Sequence, residues 1–275
     1  MKIINFLKIL LILILLVALS YFGLKTYNKA KEYEMNTEKI AAACNTNGLA
    51  KEKIDAFTSI ISLGLLPNKS KLLLDDLKKE QLLSQRSSKK FLYYFLITLT
   101  IIIVLSFTFK LHATAMILSF VTFISLIYGL INPILMVTIH KEVEYFGDVI
   151  LSFESKGIIG SISKLIESNE MVVAITILLF SIVLPLLKTL TLSFTLLFYK
   201  HPWSSKLVSF FKHLGKWSMI DVFVVATFLV YLTSNGGKTS HAEIQVGLYF
   251  FLIYVLLSMI TTILTQKVLS SKSPS

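Results

Sequence analysis

The feature that constrains this chain most is a series of six long apolar runs. A helix rises about 1.5 Å per residue, so roughly 20 apolar residues cross a hydrocarbon core of about 30 Å. None of the runs alternates polar and apolar residues, which favours helices over the strands of a transmembrane barrel. The sequence therefore predicts an all-α fold, a polytopic transmembrane helical bundle of about six spans. The runs are 6–24, 91–109, 116–139, 171–198, 217–232 and 246–264.

Composition supports a bilayer as the solvent. Hydrophobic residues make up 55% of the 275 residues, charged residues 16%, and mean hydropathy is +0.74, which is high for a soluble domain. An alternative for the first run is a cleaved signal peptide, because Lys2 and Lys8 lie at its start. Its end, from Ser20 to Gly23, lacks a small-x-small cleavage pattern. We expect retention as an anchor, and cleavage is the alternative.

Residue usage argues against several kinds of chemistry. Cys44 is the single thiol, so no internal disulfide and no CxxC site can form. There is no GxxxxGK[ST] phosphate loop, no GxSxG elbow and no metal-binding histidine spacing. We therefore expect no metal, no cofactor and no enzymatic activity. The histidines, all in or beside connecting segments, are His112, His140, His201, His213 and His241.

The net charge of +11 does not indicate nucleic-acid binding. Thirteen of the 27 basic residues lie in 25–90, where they are mixed with eight acids, and the others lie mostly at the ends of apolar runs. This is the usual solvated flank of membrane helices. A basic groove with interleaved aromatic residues, which nucleic-acid binding would need, is missing.

Lysine distribution predicts an orientation, because short basic loops are retained in the cytoplasm. The connection 199–216 has four lysines and no acid, so we expect it inside. The connection 140–170 has three lysines against six acids, and 233–245 has Lys238 as its one basic residue, so both should lie outside. The two termini are then cytoplasmic, and 25–90 lies outside. Arg86, Lys89 and Lys90 taken alone argue for the opposite placement, but long segments translocate largely regardless of charge.

The segment 25–90 is predicted to be helical. Apolar residues recur three and four positions apart in 28–44, 51–65 and 69–85, and the third of these stretches may continue into the second span. One interpretation is a simple helical hairpin between two spans. The other is a docking surface for a neighbouring subunit.

Two ionisable residues lie inside apolar runs, where a charge is costly and usually has a partner or a purpose. Lys188 follows Pro185 by three residues, and Asp221 lies four residues into the next run. Their depths from the shared lysine-rich loop differ by roughly 9 Å, which a long lysine side chain nearly spans. A pair is feasible. It would either fix the packing of neighbouring helices or act directly in a polar cavity.

Two further features of the runs are irregular or interfacial. In the third run, proline frees a carbonyl group one turn back that an asparagine can occupy, so Asn132-Pro133 predicts a kink beside a cavity. Trp217 begins the fifth run, where an indole keeps its N–H at the membrane surface.

Several of these residues carry a family resemblance. The stretch 215–226, with Trp217, Ser218 and Asp221, closely resembles the GRWSM-DVF segment of the paraquat-inducible protein A (PqiA, LetA) family. Leu-Pro-Leu-Leu-Lys at 184–188 is similar to its P-L-x-K segment. Asn-Pro-Ile-Leu-Met at 132–136 resembles its Asn-x-x-P helix end, with shifted spacing. The resemblance spans about 116–267 and implies one four-helix membrane domain.

The resemblance also implies a function. Family members are inner-membrane proteins that work with periplasmic tunnel proteins of the mammalian-cell-entry (MCE) type, and they are implicated in moving lipids between two membranes. By analogy the candidate contacts for lipid or substrate are Asn132, Pro133, Pro185, Lys188, Trp217, Ser218 and Asp221. This chain differs in having one such domain rather than two, no cysteine-rich zinc modules and two added N-terminal spans. Metal binding is therefore not expected.

The expected organisation has four parts. An anchor, 1–24, is followed by a periplasmic helical segment, 25–90, a second transmembrane helix, 91–110, and a four-helix domain, 111–275. Three functions fit it: a component of envelope lipid transport, a transporter or channel for small polar solutes, and an assembly or stress-response factor that carries nothing. The intramembrane charges favour the second, and the long outer segment favours the third.

The lysine distribution makes a testable prediction about topology. A reporter fused after Ser205 should be cytoplasmic, and reporters at Asn47, Ser155 and Gly237 should be exported, because the acid-free lysine loop is retained inside. Paired phosphatase and fluorescent-protein fusions measure this. An exported reporter at Ser205 would overturn the whole orientation.

Overall fold

The structure is a computed structural model that describes residues 2–45, 68–143, 147–198 and 240–271. Its elements alternate long helices with a small sheet. In chain order they are α1 Lys2–Asn45, α2 Asn68–Ser106, α3 Leu111–Ile131, β1 Leu135–Val143, β2 Gly147–Lys156, α4 Ile158–Glu167, α5 Met171–Ile177, a π-helix Leu178–Val183, α6 Leu184–Leu197, β3 Ser240–Ile244 and α7 Val246–Ser270.

Five helical segments in the described part are long and apolar enough to cross a bilayer. This confirms the predicted all-α membrane bundle, and the chain is a multi-pass membrane protein. The predicted span at 217–232 lies outside the described residues. The five segments are Phe6–Ile40, Asp76–Ser106, Leu111–Ile131, Met171–Leu197 and Val246–Ser270.

The first two helices pack side by side as an antiparallel hairpin. The Gln81 side-chain amide donates to Thr37 Oγ1 at 2.7 Å, and the Ser88 hydroxyl donates to the Thr26 carbonyl at 3.4 Å. At 44 and 39 residues both helices are much longer than a span. The helices expected at 28–44 and 69–85 are continuous with the spans beside them, and 51–65 lies outside the described residues.

The third span is shorter than the sequence predicted. Helix α3 ends at Ile131, eight residues before the end of the apolar run at Ile139. Asn132 caps the helix, with its side-chain amide donating to the Tyr128 carbonyl at 2.8 Å. The Tyr128 carbonyl also accepts the Asn132 N–H at 3.2 Å, so it is not the Gly129 carbonyl that Pro133 was expected to leave free. The predicted kink is wrong, because the chain leaves the helix at Pro133 and continues as strand β1.

A three-stranded antiparallel sheet, in the order β2-β1-β3, is the feature that the sequence did not predict. Leu135 pairs with Lys156 of β2 on one side and with Ile244 of β3 on the other. The strand residues Leu-Met-Val-Thr-Ile continue the apolar run of α3, so hydropathy alone could not separate strand from helix.

Backbone bonds join this sheet to two helices. The Gln245 N–H donates to the Ile134 carbonyl at 2.8 Å, and the Gly247 N–H donates to the Pro133 carbonyl at 2.9 Å. These bonds place the start of α7 against the end of α3. Further along, Gly129 allows close packing, since a Cβ there would lie 3.0 Å from the Phe251 backbone nitrogen.

Contacts at the two ends of the bundle show which connections between helices lie together. Tyr33 in the hairpin donates to the Glu243 carboxylate of β3 at 3.0 Å, so the hairpin end and the sheet lie at one end. At the start of α3, His112 Nε2 is 2.9 Å from the Leu196 carbonyl oxygen of α6. The connections predicted outside are thus grouped together, and which end faces the cytoplasm stays a prediction.

A short amphipathic helix leads back into the membrane. Helix α4 buries Ile158 and Ile162 and ends in a turn where Asn169 adopts a positive φ of 59°. In that turn the Glu170 N–H donates to the Leu165 carbonyl at 2.9 Å, the pattern of a Schellman cap. The direction of the chain changes there before α5 begins.

The junction between α3 and α7 makes a stability prediction. At Gly247 a Cβ would lie 2.6 Å from the carbonyl oxygens of Asn132 and Pro133, which are backbone atoms that cannot move aside cheaply. Gly247→Ala should lower the free energy of unfolding by about 1–3 kcal/mol. Thermal unfolding in mild detergent measures the change.

The matched control is Gly160→Ala. Gly160 lies in α4 with nothing within 4 Å of an added Cβ, so the change should be neutral or stabilise by up to about 1 kcal/mol. Equal losses for the two variants would contradict the close approach at Gly247.

Candidate functional site

The fourth described span is interrupted at its centre. Between α5 and α6, residues Leu178–Val183 form a π-helix, in which the Leu184 N–H bonds to Leu179, five residues back. Pro185 follows directly, and a proline ring clashes with the carbonyl group four residues earlier, here that of Ser181. The extra residue of the π-turn is a common way to accommodate such a break, and π-turns recur at functional sites.

One face of this span is turned inward and carries two of the predicted site residues. Pro185 and Lys188 are both buried, and Lys188 is 8% exposed. They lie on one helical stripe with Ser181, Leu192 and Thr195, at spacings of three and four residues. The lysine therefore points into the protein and not into the surrounding lipid.

Hydroxyl groups surround the proline. The Thr189 hydroxyl donates to the Pro185 carbonyl at 2.8 Å, and the Tyr254 hydroxyl of α7 donates to the same oxygen at 3.5 Å. Tyr254 is fully buried. Helix α7 is thus tied to the turn that precedes Lys188.

The interior of the bundle contains further hydroxyl groups, which we name the polar seam. Across α3 and α7 the Thr122 and Thr261 hydroxyls are 3.2 Å apart, and across α3 and α6 the Ser119 and Ser193 hydroxyls are 2.7 Å apart. Such hydroxyls are common where membrane helices pack closely. The seam consists of Ser119, Thr122, Ser125, Thr189, Ser193, Thr195, Ser258, Thr261, Thr262 and Thr265.

Part of the seam has hydrogen-bonding capacity to spare. Within the described part of the chain, Ser125 Oγ, Ser258 Oγ and Thr195 Oγ1 are buried without a hydrogen-bond partner. A buried polar atom without a partner is costly, more so at membrane depth. All three atoms lie in the packed interior, away from the bundle surface.

A groove opens on the lipid-facing side of the seam, between α3 and α6. Its enclosed volume is only about 10 Å³, and the Ser119–Ser193 hydrogen bond lies in its lining. It is therefore a shallow depression that a hydrocarbon chain can lie against, and not a cavity that encloses a ligand. It is lined by Met116, Ser119, Phe120, Ser193, Leu196 and Leu197.

The other predicted site residues have different outcomes. Asn132 is fully buried, and it and Pro133 use polar groups to cap α3 and to bind the Gly247 N–H. Both lie at the sheet end of the bundle. Trp217, Ser218 and Asp221 lie outside the described residues, so the pairing of Lys188 with Asp221 stays a prediction.

Comparison with known families identifies the second half of the chain. Residues 148–269 match the family model described as paraquat-inducible protein A. This segment, a little under half of the 275 residues, is similar to a paraquat-inducible protein A domain. This confirms the resemblance found in the sequence. Curated proteins and solved structures gave no match.

The matched segment contains part of the site. Pro185, Lys188 and the α6 and α7 parts of the polar seam lie within the paraquat-inducible protein A domain, and so do the sequence positions of Trp217 and Asp221. Helix α3, with Asn132, precedes it. The domain therefore packs against a helix from outside the matched segment to complete the seam.

The polar seam was not predicted from the sequence. A signal was present, because Ser119, Thr122 and Ser125 recur at every third residue within an apolar run. In α7, Ser258, Thr261 and Thr265 recur at three and four residues. Both spacings place hydroxyls on one helix face. The spacing could not show that the two faces meet.

The burial of Lys188 makes the predicted pair testable. Lys188→Met and Asp221→Asn should each lower the amount of folded protein, since one charge buried without its partner costs about 3–5 kcal/mol, reduced to about 2–3 kcal/mol by membrane relaxation. The double variant should recover part of the loss. Thermal unfolding and complementation measure both effects.

If the stability losses of the two single variants simply add in the double variant, Lys188 and Asp221 do not interact. Exposed Lys164→Met is a control for loss of a lysine in the same domain, and it should change stability little. Recovered abundance without recovered activity in the double variant would show that the pair also has a direct function.

Proposed function

We propose that this chain is an inner-membrane component of a lipid-transport system of the cell envelope, without catalytic chemistry of its own, and that it works with an MCE-type periplasmic protein. The observation that carries the proposal is a lipid-facing groove between α3 and α6. Ser119 and Ser193 join this groove to the polar seam. The paraquat-inducible protein A domain supplies one wall of the groove.

The arrangement suits an amphiphile. An acyl chain can lie against Phe120 and Leu197, which are about half exposed on the outer side of the groove. The polar end of the same molecule can then meet Ser119 and Ser193, the two seam hydroxyls that line the groove. Lys188, buried in the same helix, offers a positive charge for an anionic headgroup.

A second candidate function is the passage of a small polar solute or ion. The observation in its favour is the polar seam itself, together with a buried lysine beside a π-helix and proline break. The groove on the lipid side supports the first proposal over the second, because a solute pathway does not need an opening toward acyl chains.

Site-specific photo-crosslinking in intact membranes tests the proposal. A probe at Ser193 in the groove should capture a diacyl lipid, and Ser119→Phe should lower that capture by filling the groove. A probe at Leu187 is the matched control on the same helix. Leu187 is 55% exposed, so it should capture bulk lipid equally with and without Ser119→Phe.

Other outcomes identify other functions. No lipid at Ser193, with normal capture at Leu187, would refute the lipid role of the groove. Uptake of a small solute that Ser119→Phe abolishes would favour a transporter. Failure of any MCE-type protein to co-purify would remove the proposed partner and favour an assembly factor.

A further inference from the structure

The hairpin of α1 and α2 leaves the membrane at a well-defined level. The apolar runs 6–24 and 91–109 both end there, and Lys25 and Lys90 directly flank them. The hydrogen bond from Ser88 to the Thr26 carbonyl shows that the two helices reach this level side by side. Two lysines from different helices therefore lie at the boundary between apolar and polar surface.

Beneath these lysines the two helices share an aromatic strip, defined as Tyr21, Phe22 and Tyr94. Ring centroids of Tyr21 and Phe22 are 5.7 Å apart, and those of Phe22 and Tyr94 are 5.6 Å apart. The strip thus crosses from α1 to α2 without a break. Tyr21 and Tyr94 are partly exposed at 52% and 38%.

Each end of the strip holds one ammonium group. Lys25 Nζ lies 5.7 Å from the Tyr21 ring centroid, and Lys90 Nζ lies 5.8 Å from the Tyr94 ring centroid. Cation–π attraction operates over this range and limits the rotamers of both lysines. Each ammonium group is therefore held beside one end of the same aromatic strip.

The surrounding charge is strongly positive. Arg86 and Lys89 are exposed at the same level, and Lys29 is paired with Glu32 at 2.6 Å. Along α1 the first acid is Glu32, and along α2 the last is Glu80. Near Lys25 and Lys90, neither helix supplies an acid to neutralise them.

We propose that Lys25 and Lys90, above the aromatic strip, bind the phosphate headgroup of an anionic phospholipid. Two ammonium groups flanking an aromatic floor at the membrane surface complement a phosphodiester whose acyl chains point into the bilayer. The chains can lie along the exposed side chains of Leu24 and Ile97. This site lies outside residues 148–269 and is separate from the groove of the proposed function.

The place of the aromatic strip at the membrane surface favours a phospholipid over a soluble anion. The aromatic strip lies where the apolar runs end. A molecule with an anionic headgroup and a hydrocarbon tail can therefore contact the lysines and the apolar helix surface at the same time. A basic residue near an anionic membrane surface contributes about fivefold in affinity. Loss of both lysines should then weaken binding about 25-fold.

Binding of labelled lipid to the full chain tests the site. The protein is delipidated in mild detergent, and fluorescence anisotropy is recorded with phosphatidylglycerol and phosphatidylcholine that have the same acyl chains. Lys25→Gln with Lys90→Gln should weaken phosphatidylglycerol binding about 25-fold and leave phosphatidylcholine binding nearly unchanged. Lys25→Arg with Lys90→Arg should retain the preference.

The matched control is Lys39→Gln with Lys78→Gln. Both lysines are exposed on the same hairpin, farther from the membrane, and the charge change is identical. An equal loss of phosphatidylglycerol affinity in this control would show that only the net charge matters, and it would contradict the proposed site. So would an unchanged preference in the Lys25 and Lys90 variant, or full displacement of the lipid by excess inorganic phosphate.

If the lysine variants do not fold, the unaltered protein still tests the proposal. Added salt should weaken phosphatidylglycerol binding and spare phosphatidylcholine, because screening acts on the exposed ammonium groups. Salt-independent binding would contradict the site. Lipid capture at Ser193 reports on the proposed function separately, since Lys25 and Lys90 take no part in the groove.

Discussion

The membrane domain depends on the junction where α3, the sheet and α7 meet. Backbone N–H groups of Gln245 and Gly247 donate to the carbonyls of Ile134 and Pro133, and no side chain at Gly247 keeps the two backbones apart. In lipid an unpaired backbone N–H or C=O group costs several kcal/mol. These two hydrogen bonds pair carbonyl groups of the chain just after it leaves helix α3. They fix how α3 lies along α7. The positions of the α3 and α7 hydroxyls in the polar seam follow from that packing.

Against this pair of helices, α6 presents its buried face. The π-helix changes the helix register just before Lys188, and both the lysine and Thr195 are buried. Tyr254 holds the same turn from α7. A protein that moves an amphiphile needs polar groups at membrane depth that are partly satisfied within the fold. The seam and the adjoining groove have this property, and the family domain alone supplies only part of them.

The proposed headgroup site lies on the N-terminal hairpin, apart from the groove between α3 and α6. The helices of the hairpin run on past the bilayer and contact the sheet through Tyr33, Gln85 and Glu243. Where they cross the membrane surface, Lys25 and Lys90 lie over rings of Tyr21 and Tyr94. Because the hairpin and the sheet contact each other, a headgroup held at the hairpin lies on the same end of the protein as the junction with α7.

The sequence by itself determined the membrane class and the approximate positions of the described spans, because a bilayer demands long apolar helices. It also carried the family resemblance in its second half, because the motif at 215–226 is long. It also placed Pro185 and Lys188 on one helix face, since their spacing of three residues is a local property. Only the tertiary structure decided that Asn132 ends a helix where a kink was expected. Strand pairing with β2 and β3 competes there with continued helix, and both partners are distant in sequence. The polar seam was likewise decided by packing, because a hydroxyl on an apolar face acquires its role only from the helix that meets it.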